Sequence, residues 1–298
     1  MQISSNLLFD RSATRMNSLM ATAAKLQTQI ATGKKYVNPS ENVAVTQQIA
    51  EFDRKDADAA VYDKNLNLSG SLLKQADSTM QSITEQMQRA TELVNKASTG
   101  TYSSADRKVM GDELKAVVSS LMSLGNSRDV NGQPMFGDPS GQPAVVDNKD
   151  GTFTYNNAAK MSEIPIGDNL SVQATETAER IFKPGGADAL AMLSKLADTL
   201  IAGDATGASA QAAIEPLKSA SDQVSVVQAS VGARAARVEL QQGLLTSNNA
   251  DRAELRSSLE DTDIMSTAAD FMKTLTILQA TQSSFSKLSQ MSLFTYLR

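Results

Sequence analysis

The side chains able to do chemistry in this chain of 298 residues are carboxylates, lysines, tyrosines, serines and threonines, because it contains no His, Cys or Trp. His-based triads, Cys nucleophiles, disulfides, haem ligation by His or Cys, and Cys/His zinc sites are excluded. Any remaining site must come from clustering. Asn148-Lys149-Asp150-Gly151 resembles part of a calcium loop, but alignment on Gly151 puts Val146 at the first ligand position and Asn157 at the twelfth. Both principal charges are lost, and the segment reads as a β-turn. The acidic run Glu260-Asp261-Asp263 is able to hold a cation in principle; directly ahead of an apolar stripe beginning at Ile264, it reads better as favourable charge at a helix start. No phosphate loop and no dinucleotide fingerprint is present. The sequence therefore assigns no catalytic, cofactor-binding or metal-binding residue, and its reading is a protein that is not an enzyme.

The elements that would position a site point the same way. Lys+Arg 28 against Asp+Glu 33 gives a net charge of −5, with no global attraction for nucleic acid or an anionic membrane. Aromatics are 4% of residues and the apolar content is mainly Ala, Leu, Val, Ile and Met, which favours helices over sandwiches or barrels. No run approaches the roughly 18 apolar residues of a membrane span, and the first residues lack the apolar core of a secretory signal. The missing cysteines permit a place outside the cell without requiring it. Length alone suggests about two domains.

Pro and Gly mark the domain plan. Pro134, Pro139, Pro143, Pro165 and Pro184, with half of the glycines, lie from Gly125 to Gly186, which rules out one long helix there. Thr152-Phe153-Thr154-Tyr155 and Leu170 to Ala174, bounded by Asp150-Gly151 and Gly167-Asp168, read as strands and tight turns of a small β-rich insertion. On both sides the period becomes seven. Steps of three and four from Val45 through Phe52, Ala59, Tyr62, Leu66, Leu73, Ala76, Met80, Ile83, Met87, Ala90 and Val94 to Ala97 are broken only by Gln48, Lys55 and Ser69. That seam predicts a coiled-coil helix roughly 80 Å long, with Ser40 a plausible cap. A shorter stripe, Met110 to Leu124, follows a capped start at Ser103-Ser104-Ala105-Asp106. Beyond the insertion come a short helix from Leu190 to Leu200 and a long seam through Leu217, Val224, Val227, Val231, Val238 and Leu245 to Leu255 and Leu259. Arg234, Gln241 and Asn248 interrupt it, marking irregular packing or polar contacts, and Pro216 fits only near a helix start or at a kink.

The two ends carry the candidate interface. Met16, Leu19, Ala23, Leu26 and Ile30 form one heptad stripe; Ile264, Ala268, Phe271, Leu275, Leu278 and Phe285 form another, with Leu288 and Leu293 beyond it. Arg11, Arg15, Lys25, Lys34 and Lys35 stand against the single acid Asp10 in the first 40 residues, a local charge of +4. This basic segment is compatible with a transit peptide, with nucleic-acid or membrane contact, or with the solvated face of an assembly helix. The third reading fits best, since a disposable leader needs no heptad matched at the other end and no aromatic is interleaved from Arg11 to Lys35. Ordering ~35 residues costs on the order of 1–2 kcal/mol each, which half a dozen apolar side chains do not offset. The exposed outer positions Met265, Met272, Leu288, Met291 and Leu293 still want cover, so the ends should order on assembly.

These blocks resemble the family of bacterial flagellins and hook-associated protein 3, the junction protein between hook and filament. Ile3-Ser4-Ser5-Asn6, the segment from Leu26 to Lys35 and Asn38-Pro39-Ser40-Glu41-Asn42 are similar to its N-terminal block, although Glu41-Asn42 replaces two aspartates. Asn126 to Gly137, Ile164-Pro165-Ile166-Gly167-Asp168, Ile181-Phe182, Val231 to Arg234, Ser258 to Asp263 and the tail from Leu278 to Phe294 continue the likeness. The resemblance implies a mainly α fold: paired terminal assembly helices at 1–40 and 255–298, a long coiled-coil helical rod at 41–129 and 183–254, and a β-rich outer domain at 130–182. It implies a structural subunit forming a junction ring between hook-associated protein 1 and the flagellin filament, required for motility, with copies of itself, hook-associated protein 1 and flagellin as partners and no nucleic acid or membrane insertion. It further implies type III export without a cleaved signal peptide, an export chaperone at the C-terminal region and an extracellular place on the bacterial flagellum. Met87-Gln88-Arg89 to Leu93 with Glu113 match a patch by which some flagellins contact an innate immune receptor, the rest of that motif being different. A short filament flagellin and an intracellular coiled-coil scaffold remain as alternatives.

Overall fold

A computed structural model describes residues 2–99, 102–157, 162–203 and 207–296, with side chains at Leu7 and, within those ranges, from residue 9 to residue 287. Among the described residues the chain forms α1 (Gln2–Thr32), α2 (Val43–Ser98), α3 (Ser104–Gly125), β1 (Val145–Asp147), β2 (Phe153–Tyr155), β3 (Glu163–Gly167), β4 (Leu170–Gln173), α4 (Ala178–Phe182), α5 (Ala189–Ala202), α6 (Gly207–Glu260) and α7 (Ile264–Tyr296). The fold is mainly α with a small β insertion. It divides into two compact units, residues 58–246 and residues 1–57 with 247–298.

The unit of residues 58–246 holds the core. From Ala59 onward the α2 seam is buried as the heptad pattern predicts, with Leu66, Leu73, Met80 and Ile83 fully enclosed. Leu72 and Leu93, beside seam positions, are buried as well and widen the apolar face of α2. On α6 the buried side is Leu217, Ala220, Val224, Val227, Val231 and Val238. Pro216 lies inside α6 and not at its start, in the third helical turn. Ser103 caps α3 in a capping box: its Oγ accepts from the Asp106 N–H while the Asp106 carboxylate accepts from the Ser103 N–H. The Ser103 hydroxyl also donates to the Asp106 carboxylate at 2.7 Å, and that bond, with the one from the Ser103 N–H, holds the carboxyl below its ordinary range. Gly111 lets α3 cross α5 closely, since a methyl group there would meet the Ala197 carbonyl oxygen at 2.9 Å.

The insertion is two separate antiparallel hairpins, β1 with β2 and β3 with β4. The Asn148–Gly151 segment is the first hairpin's turn: the Lys149 N–H donates to Asp147 Oδ1 at 2.8 Å, and the Thr152 N–H to Asp150 Oδ1 at 2.9 Å. Asn126 ties the insertion to the end of α3 by pairing with both the N–H and the C=O of Val145, each at 2.8 Å. Phe136 and Phe182 fill the space beneath. The interruption at Arg234 is a polar contact: its guanidinium donates to the carbonyls of Gln173 and Thr175 and, at 2.8 Å, to Glu176. Glu176 is 2% exposed and also takes Arg180 at 2.7 Å. Tyr155 donates to Asp188 Oδ1 at 2.9 Å, and burial, followed by the Asp188 charge, pushes its phenol well above the ordinary tyrosine range.

Two local expectations are corrected. Asn42, not Ser40, caps α2, its Oδ1 accepting from the Val45 N–H at 3.2 Å; Pro39–Glu41 is a separate turn of 3₁₀ helix. The long seams also stop being buried before they end. Val45 and Phe52 are half-buried, Gln48 and Lys55 exposed, Leu245 half-buried and Leu255 56% exposed. The patterning continues there, but among the described residues the shared core cluster, to which α3, α5 and the insertion contribute, does not extend to these positions.

Candidate assembly interface

In the unit of residues 1–57 with 247–298, α1 and α7 pack on each other. Phe9 and Phe285 meet edge to face with ring centroids 5.4 Å apart, and at the other end Lys34 bridges to Asp261. Counting inward from Phe9 and Phe285, one residue per step, brings Met16 level with Leu278, Leu19 with Leu275, Ala23 with Phe271, Leu26 with Ala268 and Ile30 with Ile264. The two heptad stripes are thus placed level along an antiparallel helix pair.

The burial is shallow. Met16, Leu19, Leu26, Ile30, Ala268, Phe271, Leu275, Leu278 and Phe285 are half-buried, and Ile264 is 52% exposed. Among the described residues of this unit only Ala23 and Thr267 are buried. The side chains of Leu288 and Leu293 lie outside the described residues. Large apolar side chains stay uncovered on the outside, among them Leu7, Met20, Met265 at 82% exposure and Met272 at 65%. Phe9 was missed by the sequence reading, although it stands one heptad before Met16. Thr267 was missed because a polar residue breaks the apolar rule; its hydroxyl meets that of Thr262 at 3.0 Å.

The acidic run does the work expected at a helix start. Asp263 Oδ1 accepts from the N–H groups of Met265 and Ser266 and caps α7. Glu260 pairs with Lys34 and Arg256. Of the basic segment, Lys25 pairs with Glu41 at 2.9 Å. In the other unit Arg89 pairs with Glu113 and Glu92, while Met87 and Leu93 are buried. No described helix is long and apolar enough to cross a membrane.

Both terminal segments match known family models. The bacterial flagellin N-terminal helical region matches residues 3–140 and the C-terminal helical region matches residues 214–297. The chain belongs to the flagellin family. A protein of Salmonella typhimurium named flagellar hook-associated protein 3 is 24% identical over 99% of both chains, and the Escherichia coli protein of that name is 23% identical over the same shares. The flagellin of Bacillus subtilis is 23% identical over 97% of each. In fold, the chain is similar to hook-associated protein 3 of Legionella pneumophila, with a TM-score of 0.64 at 14% identity over 71% of this chain and 98% of the other. FlgL of Bacillus cereus gives a TM-score of 0.58 at 18% identity over 69% and 98%.

Proposed function

We propose that this chain is a structural, non-enzymatic subunit of the bacterial flagellum that forms the junction ring between hook-associated protein 1 and the flagellin filament. The observation that carries this reading is the half-covered terminal pair: α1 and α7 spend one apolar side on each other and leave Met20, Met265 and Met272 exposed. Neighbouring copies would bury that outer side through many shallow apolar contacts. The end-to-end alignment with proteins named flagellar hook-associated protein 3 supports it. We assign residues 1–40 and 255–298 to assembly, 41–129 and 183–254 to the helical core, and 130–182 to an outward β-rich domain. The proposed interface residues are Met16, Leu19, Ala23, Leu26, Ile30, Ile264, Ala268, Phe271, Leu275, Leu278, Phe285, Leu288 and Leu293. The subunit would work outside the cell, exported by the flagellar type III apparatus, with a chaperone holding its C-terminal region beforehand.

The test is deletion of residues 265–298. Cells carrying only that form should lack filaments and motility while still making the protein; filament growth on the truncated chain would overturn the proposal. A second reading, a short filament flagellin, draws on the flagellin relative that aligns over 97% of this chain. Seeded with filament fragments, such a protein would grow into long tubes, whereas a junction subunit would stop at a short ring.

A further inference from the structure

A heptad seam fixes which faces meet but not which heptad meets which. Sliding α1 by seven residues along α7 sets Met16 level with Phe285, Ala23 with Leu278, Leu26 with Leu275 and Ile30 with Phe271, apolar against apolar, while Leu19 comes level with Gln282 and Phe9 with Ser292. Four of the five α1 stripe residues keep an apolar partner under that slip, and the burial is too shallow for close shape fit to separate the registers sharply. The seam by itself is a weak judge of register.

The structure holds a second constraint at the inner end of the pair. The link leaving α1 and the link entering α7 are bonded backbone to backbone: the Lys35 N–H donates to the Glu260 carbonyl at 2.6 Å and the Thr262 N–H to the Gly33 carbonyl at 2.9 Å. Gly33 has φ +70°, a conformation that glycine adopts without strain. Glu260 is the hub. Its Oε1 takes Lys34 Nζ at 3.4 Å and its Oε2 takes Arg256 Nε at 3.3 Å. Arg256 in turn reaches α2, with Nη1 3.0 Å from Asp56 and Nη2 on Asp53; Arg252 Nε lies 2.5 Å from the other Asp56 oxygen. Glu260 and Arg252 keep only 13% and 14% of their side-chain surface exposed. These charges are a network in a half-sheltered place, unlike isolated surface pairs. They occupy the stretch in which the α2 and α6 seams carry no buried side chain. The two charges that join α1 to the link before α7 have no equivalent seven residues away: position 27 is Gln where 34 is Lys, and position 267 is Thr where 260 is Glu.

We propose that Arg256 and Glu260 are positioning residues which, through this clamp, set the register of α1 against α7. The inference rests on the reading of the terminal pair as an assembly surface, because a slipped pair would present Met20 and Met272 at the wrong relative height to a neighbour. The chain has no native cysteine, so introduced pairs report register cleanly. The pair Leu19→Cys/Leu275→Cys is level in the structure. The pair Leu26→Cys/Leu275→Cys is about 10 Å out of level and comes together only after the slip, a gap beyond disulfide reach.

In the purified full chain, oxidation should close the level pair at least tenfold faster than the slipped pair. With Arg256→Ala and Glu260→Gln added, that ratio should fall towards one, while the thermal transition of the remainder stays in place. Arg256→Lys keeps the charge but not the fork that spans both helices, and should fall between. A ratio unchanged by the clamp variants would overturn the proposal, as would a ratio near one with the clamp intact. Failure of the assembly reading shows separately, as filament growth on the chain lacking residues 265–298.

Discussion

Residues 58–246 and the two chain ends are built from the same kind of helix, with the same heptad spacing and the same aliphatic residues. In the first, the seam is closed by α3, α5 and the insertion, and Leu66, Leu73, Met80, Leu114, Leu121, Leu190 and Leu193 lose all contact with solvent. In the second, the seam is covered from one side only, and two residues are buried among those described. The difference lies in the number of partners available to each apolar stripe. A stripe that finds its partners within the chain becomes a core; one that finds half of them becomes a surface waiting for another subunit. The charged clamp of Arg252, Arg256, Asp53, Asp56, Glu260 and Lys34 stands where the first kind of seam gives way to the second.

The contrast can be broken at several points, and the largest effect belongs to the core. Leu121→Ala or Leu190→Ala, each removing a fully enclosed side chain, should cost about 2–5 kcal/mol in denaturant unfolding. Leu275→Ala, at a half-buried seam position, should cost about 1 kcal/mol or less in the isolated chain and yet suppress ring assembly. If the two sets cost the same in isolation, the distinction between core and surface is wrong.

Arg234→Ala comes next. It leaves the Glu176 carboxylate, 3% exposed, with Arg180 as its remaining charged partner and frees the Gln173 and Thr175 carbonyls. A loss of about 2–3 kcal/mol is expected by the same measurement, since the buried carboxylate keeps one of its two cations and both carbonyls lose their donor. Ser69→Ala should go the opposite way. The Ser69 hydroxyl is buried in the α2 seam with no hydrogen-bond partner among the described residues, so its removal should raise the unfolding free energy by about 1 kcal/mol.

The smallest effect is on alkaline stability. Tyr155 has its phenol pKa raised in the folded chain by burial and then by Asp188, so its contribution is complete below the unfolded value of about 10 and declines as pH rises above it. Tyr155→Phe should therefore flatten part of the fall in melting temperature between about pH 10 and 11.5. An identical fall in both proteins would show that Tyr155 takes no part in it.

Much of this arrangement was legible in the residues. Spacing alone located the α2 seam from Ala59 to Ala97, both terminal stripes, the Ser103 cap and the turn at Asp150-Gly151, because each depends on neighbours within a few turns; it marked Arg234 as an interruption but could not choose between irregular packing and polar contacts, since its partners lie about 60 residues away. The end of burial near residue 57 was not legible, since the heptad runs on through Val45 and Phe52; only the elements that close a seam decide it, and those are distant in sequence. The clamp escaped for the same reason. Asp53 and Arg256 are about 200 residues apart, and nothing in either neighbourhood names the other. The cap of α2 passed from Ser40 to Asn42 because Pro39 starts a 3₁₀ turn that delays the helix.

The account stands most directly on where the assembled protein lies. Antibody raised against residues 130–182 and coupled to gold should label intact flagella in one narrow band at the boundary between hook and filament. Label along the whole filament would contradict the junction reading and make the chain a flagellin; label confined to the cytosol would contradict assembly through the terminal pair altogether.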